Sequence, residues 1–124
     1  MRKNEADLRE CAEFIKAGKL VAFPTETVYG LGANALDEDA VKSIFHAKER
    51  PYSDPIIAHV TSVKQALSLT KTEADIQELF KFLAAEFWPG PMTVVMSANL
   101  EIVPLVLTGG TGFVGVRYPN NKTA

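Results

Sequence analysis

Cysteine and histidine are scarce in this 124-residue chain, which holds one cysteine, Cys11, and two histidines, His46 and His59. A lone cysteine excludes an internal disulfide and fits a reducing compartment. Three such residues spread along the chain lack metal-ligand spacing, so no protein-only metal site is expected. No Ser-His-Asp or Cys-His pairing can be inferred from them either. Charge of one sign is also lacking, since 13 Lys and Arg face 15 Asp and Glu for a net charge of −2. That balance argues against a protein whose main work is coating nucleic acid, although a local basic patch is compatible with it. No apolar run nears the roughly 20 residues that span a bilayer. Met1–Asp7 has no apolar stretch behind its charges, so a secretory signal is not expected. The expected location is the cytoplasm, with no membrane partner. Repeats, linkers and low-complexity stretches are missing as well, so residues 1–124 read as a single domain.

What is there is an alternation of short apolar runs and amphipathic stretches. Glu5 to Ala17 places Leu8, Cys11, Ala12 and Ile15 on one helical face, with Gly18 as the stop. At that spacing Cys11 reads as a small side chain facing the core. Leu20–Phe23 reads as a buried strand, and Pro24–Gly32 as a polar, glycine-containing loop directly after it. Asp37 is a natural N-cap for a helix with Val41, Ile44 and Phe45 on one face, which must stop near Pro51. Ile56–Val60 reads as a second buried strand. Ser62 is placed to cap a short helix through Leu69, and Thr72 a longer one reaching Phe87, ended by Trp88-Pro-Gly-Pro91. Thr93–Met96 and Val114–Arg117 read as two further strands, with Thr108–Gly112 between them as a flexible turn. Strands alternating with helices imply an α/β sheet with helices packed on it.

Few single residues compel a function. In open α/β sheets ligands bind at the carboxyl ends of strands, which suits the loop after Phe23. There Thr25, Thr27 and Tyr29 offer hydroxyls, and Gly30 and Gly32 allow close backbone approach. A plain connection whose threonines bond local backbone explains the same loop equally well. Lys48 and Arg50 place two cations near a helix end, which the helix dipole alone favours by about 0.3–1 kcal/mol each. His59, in an apolar run, fits a hydrogen-bonded structural histidine as readily as a ligand group. Thr108-Gly-Gly-Thr-Gly112 lacks the lysine and hydroxyl of a phosphate-binding loop.

The order of the blocks is distinctive. Phe23-Pro-Thr-Glu-Thr-Val-Tyr-Gly-Leu-Gly-Ala33, Ile44-Phe-His-Ala-Lys-Glu-Arg-Pro51, Pro55-Ile-Ile-Ala-His-Val60, Trp88-Pro-Gly-Pro-Met-Thr93 and Val114-Gly-Val-Arg-Tyr-Pro119 together resemble the YrdC family. The resemblance implies a YrdC-type α/β fold, a twisted mixed sheet with flanking helices, around a positively charged concave cavity. It implies a threonylcarbamoyl-AMP synthase activity, in which L-threonine, bicarbonate and ATP give threonylcarbamoyl-adenylate and pyrophosphate for tRNA modification. Mg²⁺ is expected to accompany the ATP. By the family motifs, Thr27, His59 and Arg117 match threonine-binding positions, and Lys48, Arg50 and Asp54 the nucleotide side. Thr25 and Tyr29 line the same loop.

Such chemistry needs two anions held close together and offset of growing phosphoryl charge, which suits Lys48 and Arg50. Arg117 can grip a carboxylate bidentately. Two residues depart from the family pattern. Asp54 stands where asparagine or lysine is common, and Phe113 where threonine is usual. The resemblance also implies a domain continuing beyond Ala124 into a Ser-x-Asn motif that closes the nucleotide site. Ser97-Ala-Asn99 spells that motif upstream of Arg117, in a different place. The chain as given is therefore expected to show little turnover. It is also expected to leave a strand edge unpaired beside Val114–Arg117, through which copies associate. Alternative readings are a non-catalytic module binding tRNA or double-stranded RNA, or a carbamoyl-handling paralogue with another acceptor. The net charge counts against the RNA reading.

Overall fold

The structure is a computed structural model and describes residues 5–24 and 29–121. Helix α1 spans Glu5–Lys16, and strands β1 (Val21–Pro24) and β2 (Tyr29–Gly32) follow as an antiparallel hairpin. The 29–32 stretch, expected as loop, is a strand. Its two glycines hide the usual strand signal, and their bareness serves the ring of Phe23, which lies across them. A Cβ on Gly32 would come within 2.4 Å of that ring, so only glycine leaves it in place.

Helix α2 (Glu38–Lys48) begins where expected. Asp37 Oδ1 accepts from the backbone N–H groups of Asp39 (3.0 Å) and Ala40 (3.2 Å), satisfying first-turn donors that have no helical partner. Its inward face buries Ala40, Val41, Ile44 and Phe45. Strand β3 (Ile57–His59) leads to α3 (Val63–Ser68), capped by Ser62, whose Oγ accepts from Gln65 N at 3.0 Å. Helix α4 (Ala74–Phe87) follows. Thr72 is not its cap: Glu73 holds that position, and Thr72 Oγ1 is buried without a hydrogen-bond partner among the described residues, so it bonds no first-turn amide.

Strands β4 (Val94–Ser97) and β5 (Phe113–Arg117) complete a three-stranded mixed sheet in the order β3-β5-β4. Strand β5 runs parallel to β3 and antiparallel to β4. This overturns the expectation of an unpaired edge beside Val114–Arg117, since among the described residues β5 is the central strand and β3 and β4 are the outer ones. The reason lies in its own residues. Val114 and Val116 are fully buried, and backbone at that depth must have its polar groups bonded. The 108–112 stretch is likewise no loose turn. It follows a 3₁₀ turn at Leu105–Thr108, where buried Thr108 donates its hydroxyl to Leu105 O (2.7 Å) and accepts from Gly112 N (3.0 Å).

The core gathers Val41, Phe45, Phe80, Trp88, Val114 and Val116 with their neighbours from α2, α3, α4 and one sheet face. Trp88 stays wedged there by a hydrogen bond from Nε1 to Met92 O at 2.8 Å and an edge contact with Phe80. Among the described residues, none of α1 or the hairpin belongs to this cluster. Cys11, expected to face the core, instead shares with Leu8, Ala12 and Ile15 the wall of a cleft between α1, the hairpin and the sheet. No helix among the described residues is long and apolar enough to cross a membrane.

Candidate functional site

Alternation along the strands divides the sheet into a packed face and an open one. Ala58, Met96, Val114 and Val116 go into the core. Ile57, His59, Val95, Gly115 and Arg117 take the other face, where Val95 is 65% exposed. The β3 side of this face, with Ile57, His59 and Arg117, bounds with α1 and the hairpin a cleft of about 890 Å³.

His59 and Arg117 are register partners, each the last residue of its strand. The carboxyl ends of parallel strands are where α/β sheets bind ligands. Arg117 is held from the side. Its Nε and Nη2 donate to Thr93 Oγ1 at 2.9 and 2.7 Å, which fixes the guanidinium plane. The Nη1 edge is not engaged in that grip. His59 meets the edge of the Phe23 ring at 5.5 Å between centroids, so the hairpin reaches the sheet at the site itself.

Lys48, at the end of α2, lines the same cleft. No Asp or Glu lines it among the described residues, while Lys48, His59 and Arg117 do. Two cations, Lys48 and Arg117, against largely apolar walls favour an anionic ligand. The chain then turns sharply. Glu49 takes a left-handed conformation (φ 54°), and the amides of Glu49 and Arg50 donate to His46 O (3.3 Å) and Phe45 O (3.0 Å), closing α2 as a left-handed cap does. Arg50 and Asp54 are exposed on the loop that follows and do not line the cleft. Thr25 and Thr27 lie outside the described residues, as does the side chain of Tyr29. Among the described residues no group of three or more His, Cys, Asp or Glu gathers to hold a metal ion. Sequence reasoning missed Thr93 and Phe23 as partners of Arg117 and His59. Both contacts depend on strand register and hairpin placement, which spacing does not reveal.

The sequence profile of the Sua5_yciO_yrdC family, described as telomere recombination, matches residues 13–124. The chain belongs to that family. It is 54% identical over 123 residues to the threonylcarbamoyl-AMP synthase of Pyrococcus abyssi, covering 99% of this chain and 35% of that protein. To the Bacillus subtilis threonylcarbamoyl-AMP synthase it is 38% identical, over 98% of this chain and 34% of the relative. The crystal structure of P. abyssi Sua5 complexed with L-threonine superposes with a TM-score of 0.91 at 52% identity, over 99% of this chain and 35% of that one. The chain thus spans about a third of the length of these relatives. Its mixed α/β arrangement is the fold of that Sua5 structure.

Proposed function

We propose that this chain is the amino-acid- and nucleotide-binding domain of a threonylcarbamoyl-AMP synthase serving tRNA modification. The observation that carries the reading is the in-register pair of His59 and Arg117 in a cleft that no Asp or Glu lines among the described residues, with Arg117 oriented by Thr93. The names of the similar proteins, and the L-threonine bound to one of them, support threonine as the amino acid. Arg117 holds the threonine carboxylate, and His59 and Thr27 contact the rest of the molecule. Lys48 and Arg50 hold phosphate oxygens of ATP, with Asp54 beside them. Mg²⁺ would accompany the nucleotide, where it would offset phosphate charge, and Asp54 is the carboxylate near Lys48 and Arg50 that could contribute to holding it.

The threonine amine nitrogen bonds to the carbon of bicarbonate-derived CO2 and releases a proton, giving a carbamate. A carbamate oxygen then attacks the α-phosphorus of ATP as the bond to pyrophosphate breaks. Positioning two anions and offsetting charge are the whole of the protein's contribution, and no protein nucleophile is used. The test is pyrophosphate release from ATP by the full-length protein, requiring both threonine and bicarbonate, with the adenylate identified by mass spectrometry. Calorimetry showing no threonine binding to the chain would overturn the reading.

A further inference from the structure

The 50–55 loop, which carries Arg50 and Asp54, is tied down at more places than a surface connection requires. Its start is bonded to the end of α2 through Arg50 N to Phe45 O (3.0 Å), and its middle closes on itself through Asp54 N to Pro51 O (3.1 Å). Tyr52 then reaches back across the helix end. Its hydroxyl lies 2.9 Å from His46 Nε2, and its ring stands edge-on to buried Phe45 at 5.2 Å between centroids.

From the other side the loop rests on Gly109, the left-handed residue (φ 65°) that ends the 3₁₀ turn. A Cβ at Gly109 would stand 2.6 Å from Ser53 O and 3.0 Å from Pro55 N, both backbone atoms. Close by, Ile56 N donates to Leu107 O at 3.0 Å. Gly110 next door has the same handedness (φ 82°) but open space around its own Cβ position. The close approach at Gly109 therefore belongs to the loop and not to the turn.

We propose that Gly109 and Tyr52 are positioning residues that clamp the 50–55 loop from two sides and so set where Arg50 and Asp54 meet the nucleotide. The proposal rests on the reading of Lys48 and Arg50 as the phosphate-binding residues. Neither residue touches the ligand itself. Gly109 acts through the Ser53 and Pro55 backbone, and Tyr52 through His46 and Phe45.

The two glycines supply a matched pair of variants. Gly109→Ala and Gly110→Ala both force alanine into a left-handed backbone, a cost common to the two, but only the first collides with the loop. Misplacing a binding group by on the order of 1 Å can cost about a hundred-fold. Calorimetry with MgATP should therefore show Gly109→Ala weakened by roughly ten-fold or more, and Gly110→Ala by less than about three-fold. Threonine affinity, which depends on His59 and Arg117, should stay within about two-fold in both.

Tyr52→Phe keeps the ring contact and removes the bond to His46, and should weaken MgATP by about two- to ten-fold, the range one such hydrogen bond spans. It carries the test if Gly109→Ala fails to fold. Equal nucleotide affinity in the two alanine variants, or a matching loss of threonine binding in Gly109→Ala, would overturn the role of Gly109. Unchanged nucleotide affinity in Tyr52→Phe would remove Tyr52. If the unsubstituted chain binds no MgATP, as expected of a nucleotide site closed by a later Ser-x-Asn segment, nucleotide affinity is not the readout. The clamp is then judged by amide hydrogen exchange at residues 50–56. It requires that exchange to be about ten-fold faster in Gly109→Ala than in Gly110→Ala, and equal rates would sink it.

Discussion

Replacing Arg117 by lysine keeps the charge at the end of β5 and removes the fork. In the structure one edge of the guanidinium is already spent, because Nε and Nη2 both donate to Thr93 Oγ1 at 2.9 and 2.7 Å. A lysine ammonium has three donors but no planar fork, so it cannot present a bidentate edge to a carboxylate while another edge is fixed on Thr93. The loss is at least one hydrogen bond to a charged group, worth about 1.5–3 kcal/mol, or roughly 10- to 150-fold in affinity. Isothermal titration with L-threonine reads this directly. Arg117 is half-buried and pairs with a neutral hydroxyl, so melting should shift little. Thr93→Val preserves shape and removes the acceptor, freeing the guanidinium to rotate. It should weaken threonine by about two- to ten-fold, the range of one neutral hydrogen bond. In the double variant the two losses should not add, because both act through the same contact. Threonine affinity in Arg117→Lys within about two-fold of the parent would refute the reasoning and remove Arg117 from the site.

Lys48→Ala and Arg50→Ala should each abolish detectable MgATP binding, while melting moves by no more than the ~1 kcal/mol that an exposed cation contributes; normal ATP binding by both would retire them as phosphate ligands. Gly32→Ala should push the Phe23 ring off its seat, since the new Cβ would lie 2.4 Å from it, and loosen the edge contact on His59. Threonine binding should weaken several-fold, and the aromatic resonances of Phe23 and His59 should shift in NMR spectra; unshifted resonances would show that the ring does not depend on the glycine. Ile57, Val95 and Phe113 leave exposed apolar surface on the open sheet face, so light scattering should show association that grows with concentration. Val95→Lys should reduce it, and a monomer at high concentration in the parent chain would contradict the prediction.

Much of the fold was legible because the elements that pack on the core carry their own signals. The Asp37 and Ser62 caps, the stop at Trp88–Pro91 and the alternation in Val114–Arg117 all appear where spacing placed them. Strand β2 was not legible, because Gly30 and Gly32 carry no side chain to show a period. Its place as a strand comes from pairing with β1. Cys11 misled for a related reason: a helical apolar stripe says that a face is covered, but not whether by core or by a cleft wall. The order of the family blocks pointed to Lys48, His59 and Arg117, and these three do line one cleft. Arg50 and Asp54 came with them by motif and stand on a loop beside it.

By itself the amino-acid sequence determined which residue types the site has to work with, where helices start and stop, and which strand faces are apolar, all of which follow from interactions within a few residues. Only the tertiary structure decided that β5 is central, that His59 and Arg117 share a register, that Thr93 orients the guanidinium, and that Gly109 carries the 50–55 loop. Those contacts join residues far apart in the chain, and nothing local encodes them. The central place of β5 follows because burying Val114 and Val116 required bonded neighbours on both sides of that strand, and this set His59 and Arg117 side by side on the cleft wall.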